Sequence, residues 1–257
     1  MSTVLEIKNL KKNDLYGNPV IDGLDLEVKQ GEFVSICGPR ACGKSLLFRM
    51  ISGFDKPDGG MIKTFGKEVK GIGPDVQLIF QESQIFPWMR VLDNVMFGPL
   101  SRGVPKEEAK KASIEWLARV GLAKFAGVYP WMLSGGMQRR CAIAMVLVNK
   151  PKLVLCDELL GGLDWITRHV VSDEFVRIWY EEKPTVLYVT HMLEEAVYLS
   201  QKVYLLSDKP AKTVADWEIK LPPKRWEVKD LRFAKETADY VEKVRLKFEE
   251  VVGHVAK

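Results

Sequence analysis

No stretch of this chain is long and apolar enough to cross a bilayer. The longest unbroken apolar run is the eight residues Cys141–Val148, and a spanning helix needs roughly 20. The opening residues, Met1-Ser-Thr-Val-Leu-Glu-Ile-Lys8, lack the charged-then-apolar order of a secretory signal. The expectation is a soluble chain, or one that docks to something else. Cysteine is scarce: Cys37, Cys42, Cys141 and Cys156 are the full set, and no pair has metal-ligand spacing. A chain of 257 residues can bury enough core to need no disulfide frame. Three of these thiols sit beside apolar residues and are expected to be small buried hydrophobes in a reducing compartment, whereas Cys42 lies inside a Gly-rich loop. Excess charge is missing too. Against 38 basic residues stand 34 acidic ones, for a net charge of +4. From Lys209 onward there are 12 basic and nine acidic residues, so most of the surplus lies in the tail. So slight a balance is no nucleic-acid footprint, and no nucleic-acid partner is expected. No internal repeat of 20–50 residues is visible.

What is present is an ordinary globular mixture, 47% hydrophobic and 28% charged. Leu5 and Ile7, then Leu24, Leu26 and Val28, alternate as half-buried strands do. Phe33–Cys37 is a nearly continuous apolar run, as in a strand covered on both faces. It leads into a Gly-rich loop and a helix over 46–51. Val76–Phe80 is a further strand candidate. From about Glu82 to Lys150 the chain reads as mostly helical. One helix opens after Pro105 with acidic residues in its first turn, and a second follows Gly136. Strands over 153–156, 185–190 and 203–206 then alternate with helices over 165–182 and 193–199, which implies a largely parallel sheet. A last helix is predicted over about 229–252, with Val241, Val244, Phe248 and Val251 on one face.

Three motifs carry chemistry. Gly38-Pro-Arg-Ala-Cys-Gly43-Lys44-Ser45 fits the P-loop pattern between a buried strand and a helix. Backbone N–H groups of such a loop turn inward around phosphate, and the helix N-terminus faces the anion. Lys44 supplies a point charge to the β and γ phosphates, and the Ser45 hydroxyl ligates Mg²⁺. Asp157 and Glu158 end a second buried strand. With a P-loop upstream, the first can hold Mg²⁺ through water, and the second can orient or deprotonate an attacking water. Finally, Leu133-Ser134-Gly135-Gly136-Met137-Gln138 starts a helix with an N-capping serine and two glycines. That is either a second anion-binding helix terminus or a plain capped helix.

Taken in this order, the motifs resemble the ATP-binding cassette subunit of an ABC transporter. The branch most resembled is the importer group for nitrate, sulfonate, taurine and similar small solutes, to which Phe86–Val95 is similar in particular. The resemblance implies an α/β fold: a P-loop NTPase with a RecA-like core, an antiparallel β subdomain and an inserted helical subdomain. The ATPase domain would cover 1–208, with its core in 1–81 and 151–208 and the helical part at about 82–150. Residues 209–257 would form a C-terminal extension carrying the amphipathic helix. Tyr16 falls where the family stacks an aromatic ring on adenine. Gly38, Pro39, Arg40, Ala41, Cys42, Gly43, Lys44, Ser45 and Leu46 make the phosphate loop. Gln81 matches the glutamine that contacts Mg²⁺ and water. Ser134, Gly135, Gly136 and Gln138 match the signature motif, and Gly162-Leu163-Asp164 matches the D-loop. Asp157 matches the metal-holding aspartate, Glu158 the catalytic glutamate and His191 the switch histidine. The metal set would be Ser45, Gln81 and Asp157. His169 and His254 match nothing and are expected on the surface.

The same resemblance implies ATP and Mg²⁺ as ligands and a head-to-tail homodimer or paired cassette. It implies separate membrane permease subunits, indirectly a solute-binding protein, and a place on the cytoplasmic face of the cell membrane. Departures qualify it. Arg40-Ala41 stands where the family usually has Ser-Gly, Leu46 replaces a threonine, and Leu159 replaces a proline. The alternative is therefore a degenerate or non-transport nucleotide-binding cassette. If position 41 needs a left-handed backbone, alanine costs about 1–2 kcal/mol there.

Overall fold

The computed structural model describes residues 2–82 and 84–253. In chain order its elements are Thr3–Asn13 (β1), Pro19–Lys29 (β2), Phe33–Cys37 (β3), Lys44–Ile51 (α1), Gly59–Thr64 (β4), Lys67–Glu68 (β5) and Val76–Ile79 (β6). Then come Val91–Ser101 (α2), Lys106–Arg119 (α3), Gly135–Leu147 (α4), Leu153–Asp157 (β7), Trp165–Glu182 (α5), Thr185–Val189 (β8) and Leu193–Leu199 (α6). Lys202–Leu206 (β9), Thr213–Glu218 (β10) and Lys235–Gly253 (α7) complete the chain.

Two sheets result. One is antiparallel, in the order β2-β1-β4-β5. The other runs β10-β9-β3-β8-β7-β6 and is parallel except for β10 at its edge. The central strands β3 and β8 are buried along their whole length. Their period of two decides which core each side chain enters. Phe33, Val186 and Tyr188 join the core under α4–α7. Val34, Ile36, Leu187 and Val189 join the core shared with α1 and the antiparallel sheet. The parallel sheet is thus the middle layer of three. Helices α2, α3 and α4 pack on one another beside it.

Several features differ from the sequence expectations. Strand β10 lies beyond residue 208 yet pairs with β9, so the main sheet continues into the C-terminal extension. The last helix begins at Lys235, six residues later than expected. Two tight turns, Arg225–Glu227 and Leu231–Phe233, occupy the interval. The Arg225 side chain anchors them: it is 2% exposed and donates to the carbonyls of Tyr198 and Pro222. The described residues of α7 bury Val244 fully, with Val241, Phe248 and Val251 packed beside it. His169 is half-buried between Trp165 and Phe233 rather than on the surface. Burial and the nearby Arg232 cation hold its pKa below the usual imidazole range. His254 lies outside the described residues. All four cysteines are free and buried, and burial pushes the Cys37 and Cys141 thiols up to about 12. Among the described residues, no helix is long and apolar enough to cross a membrane.

Candidate functional site

Parallel register builds the site. Ile79 pairs with Cys156, Asp157 with Val189, and Ile36 with Val189. The C-terminal ends of β6, β7, β8 and β3 therefore finish at one edge of the sheet, where open α/β folds hold their ligands. From those ends come Gln81, Asp157 with Glu158, His191, and the Gly38–Ser45 loop. Gln81, Asp157, Glu158 and His191 line one cavity of about 720 Å³ together with Arg40, Ala41, Gly43, Lys44, Ser45 and Leu46.

The loop reverses through two left-handed residues, Ala41 at φ 59° and Gly43 at φ 111°. A Cβ at Gly43 would approach Val20 Cγ1 to 3.1 Å, so glycine serves both backbone and space there. Ala41 has no such excuse and carries the left-handed penalty of about 1–2 kcal/mol. Lys44 opens α1, and its ammonium donates to the carbonyls of Gly38 (2.9 Å) and Pro39 (2.6 Å). It is only 6% exposed, wrapped by its own loop. The Cys42 thiol lies 3.7 Å away, its pKa raised chiefly by burial.

The Asp157 carboxyl is raised above the usual range by burial first, and Glu158 adds to this; a hydrogen bond from Ser45 and the Lys44 charge pull the other way. Glu158 sits at φ 44°, a rare backbone state for a residue with a side chain. Its N–H donates to the Val189 carbonyl, and its Oε1 lies 3.0 Å from His191 Nδ1. The hydroxyl of Ser45, the amide oxygen of Gln81 and the Asp157 carboxyl are hard oxygen donors around one cavity. That donor set fits Mg²⁺, which takes one or two protein ligands and leaves the rest to phosphate and water.

Other anticipated residues lie elsewhere. Tyr16 is 91% exposed, at the turn between β1 and β2. Gly38, Pro39 and Cys42 frame the loop without lining the cavity. Ser134 caps α4 by accepting the Met137 N–H at 3.3 Å. Gln138 is turned inward, its amide donating to the carbonyls of Pro130 and Leu133. Asp164 caps α5 through the Thr167 N–H at 3.0 Å, and its bonds to Thr167 hold its carboxyl below the usual range. The first turns of α4 and α5 are in close contact. A Cβ built on Gly136 would fall 2.4 Å from Thr167 Cγ2. Arg139 donates to the Gly161 carbonyl at 3.1 Å, tying α4 to the cavity rim of its own chain. Ser134, Gly135 and Asp164 are thus exposed outside the cavity, while Gly136 and Gln138 pack inward beneath them. The cavity also gains Val20, Gly161 and Lys209, which sequence reasoning missed. Val20 and Lys209 come from the β2 and β9–β10 regions, and no local pattern marks them.

A phosphate-binding loop, two strand-end carboxylates and a histidine on this three-layer frame define a P-loop nucleotide-binding ATPase. Residues 21–161 match the ABC transporter family. An uncharacterized ABC transporter ATP-binding protein of Methanocaldococcus jannaschii is 41% identical over 240 residues, covering 91% of this chain and 90% of that one. An aliphatic sulfonates import ATP-binding protein of Zymomonas mobilis is 39% identical over 90% of this chain and 91% of its own. A taurine import ATP-binding protein of Chromobacterium violaceum is 37% identical, covering 82% and 81%. Among solved structures, a dimeric ATP-binding cassette in a post-hydrolysis state with ADP and phosphate superposes with a TM-score of 0.73, at 26% identity. It covers 85% of this chain and all of that one. The chain belongs to the ABC transporter family. It is an ATP-binding subunit of the import type, and an ATPase.

Proposed function

We propose that this subunit powers uptake of a small solute of the nitrate, sulfonate or taurine kind through a separate permease. Two copies pair head to tail, so that the Ser134–Gly136 helix start of one closes over the nucleotide in the cavity of the other. The observation that carries this reading is the convergence of Lys44, Ser45, Gln81, Asp157, Glu158 and His191 on one cavity, while the Ser134 surface stays outside it. A glycine-rich helix start that lies outside its own chain's cavity suits a site completed by a partner.

Within the cavity, the loop N–H groups and Lys44 bind the phosphates. Ser45, Asp157 and Gln81 would hold Mg²⁺, which would neutralise phosphate charge. Glu158 orients the attacking water and takes its proton, and its contact with His191 fixes the carboxylate's position. The strained Ala41 and the missing hydroxyl at Leu46 slow the cycle or weaken nucleotide binding without removing a reacting group.

For the permease, the segment after Gln81 offers an exposed aromatic face. Phe86 packs 4.7 Å from Phe97 and 5.6 Å from Trp88, and Trp88 is 69% exposed. Docking there would hold the subunit on the cytoplasmic side of the membrane, with solute choice left to the permease and a binding protein.

The test is Glu158→Gln on a sizing column. Binding of ATP–Mg²⁺ with no turnover and a monomer-to-dimer shift is the expected outcome. Normal hydrolysis by the variant would remove Glu158 from its role, and nucleotide binding without a shift would remove the composite site.

A further inference from the structure

An exposed aromatic patch adjoins the nucleotide cavity. Trp165 opens α5 directly after Gly162-Leu163-Asp164, and Phe233 comes from the second tight turn of the C-terminal segment. Their rings stack with centroids 6.5 Å apart, and the His169 ring lies 4.2 Å from Trp165. Trp165 is 60% exposed, and Ile166 and Phe233 are each 67% exposed. Contiguous exposed apolar patches on soluble proteins usually mark a contact.

Two observations say which contact. The first is continuity. Gly162 lines the nucleotide cavity, and Trp165 stands three residues on. Met192, the residue after His191, lines a neighbouring cleft of about 330 Å³ together with Trp165 and Phe233. The loops that reach the nucleotide therefore also carry the patch. The second is mixed charge. Arg168 and Glu194 both line the cleft, so the surface can complement its own copy and does not favour a ligand of one sign. The patch is also firmly mounted. Arg232 donates to Ser172 Oγ and Asp173 Oδ1, both at 2.5 Å, and lies 3.4 Å over the Tyr198 ring.

We propose that the Trp165–Ile166–Phe233 patch is a contact surface for a second copy of this chain, extending the paired seam from the D-loop onto the C-terminal segment. This rests on the paired arrangement proposed above. Phe233 lies beyond β10, so part of the contact would come from the C-terminal segment. It keeps two copies associated beyond what the shared nucleotide alone provides.

The experiment is sedimentation equilibrium of the full chain carrying Glu158→Gln, with ATP–Mg²⁺, against the same chain with Phe233→Ser or Trp165→Ser added. Both side chains are largely exposed, so each variant is expected to fold. Binding of a fluorescent ATP analogue to the monomer checks that the nucleotide site is intact. The expected result is a dimer dissociation constant raised about tenfold or more in each variant, with nucleotide affinity unchanged. Unchanged dimer constants in both variants overturn the proposal and leave the paired reading standing. A Glu158→Gln parent that binds ATP and stays monomeric overturns both.

Discussion

Gly136→Ala tests whether the α4–α5 contact is as tight as its geometry says. The added methyl carbon would fall 2.4 Å from Thr167 Cγ2, far inside van der Waals contact. Neither side yields easily. Thr167 is in the first turn of α5, its N–H held by the Asp164 carboxylate, and Ser134 caps the opposing helix start. Overpacking of this kind costs about 1–3 kcal/mol. Helix propensity returns up to about 1 kcal/mol for replacing glycine by alanine. The net expectation is a loss of about 0–2 kcal/mol. Removing the clashing methyl by Thr167→Ser should reverse the sign, so that alanine at 136 becomes neutral or stabilising. A double-mutant cycle by urea denaturation isolates the coupling, expected at about 1–2 kcal/mol. A coupling below about 0.3 kcal/mol would refute the close approach of the first turns of α4 and α5.

Three further outcomes are expected. Ala41→Gly relieves the left-handed penalty of about 1–2 kcal/mol and gives back about 0.4–1 kcal/mol of unfolded-state entropy. The variant should be more stable by up to about 1.5 kcal/mol in denaturant melts, and a clear loss of stability would contradict the backbone argument. The second concerns pH. Burial and Arg232 hold the His169 pKa below its ordinary value of 6.5, so on acidification the unfolded chain takes up that proton first and stability falls as pH drops through about 6.5. His169→Gln should flatten this slope, and an identical slope would remove His169 as its source. Third, Phe33 is fully buried with Phe175, Trp179 and Tyr188 around it at ring distances of 5.6, 5.9 and 6.0 Å. Phe33→Ala should cost about 3–5 kcal/mol in the same melts, and a cost under 1 kcal/mol would mean that this core collapses freely.

Much of the frame was legible because its elements are strongly patterned. The runs 33–37, 153–157 and 185–189 are apolar except for Ser35, Asp157 and Thr185, and the helices 165–182 and 193–199 begin and end where their periodicity does. Short or mixed elements were not legible. Strand β5 has two residues, and β10 reads Thr-Val-Ala-Asp-Trp-Glu, which has no buried residue and is defined by its pairing with β9 rather than by hydrophobicity. The start of α7 was misplaced because the burial of Arg225 depends on the Tyr198 and Pro222 carbonyls, and sequence alone reads arginine as exposed.

For the candidate site, local spacing was enough to mark the residues that carry its chemistry. The loop needs glycine, a lysine and a hydroxyl in fixed order, and two carboxylates must end a buried strand; both are local requirements that spacing records. Their assembly depends on long-range pairing. Parallel register across β3, β8, β7 and β6 brings residues from 38 to 191 to one sheet edge, and adds Val20 and Lys209. The same packing leaves Ser134 and Asp164 outside that cavity and lifts Phe233 onto Trp165. Those placements arise from long-range pairing and close packing, which no local pattern in the chain encodes.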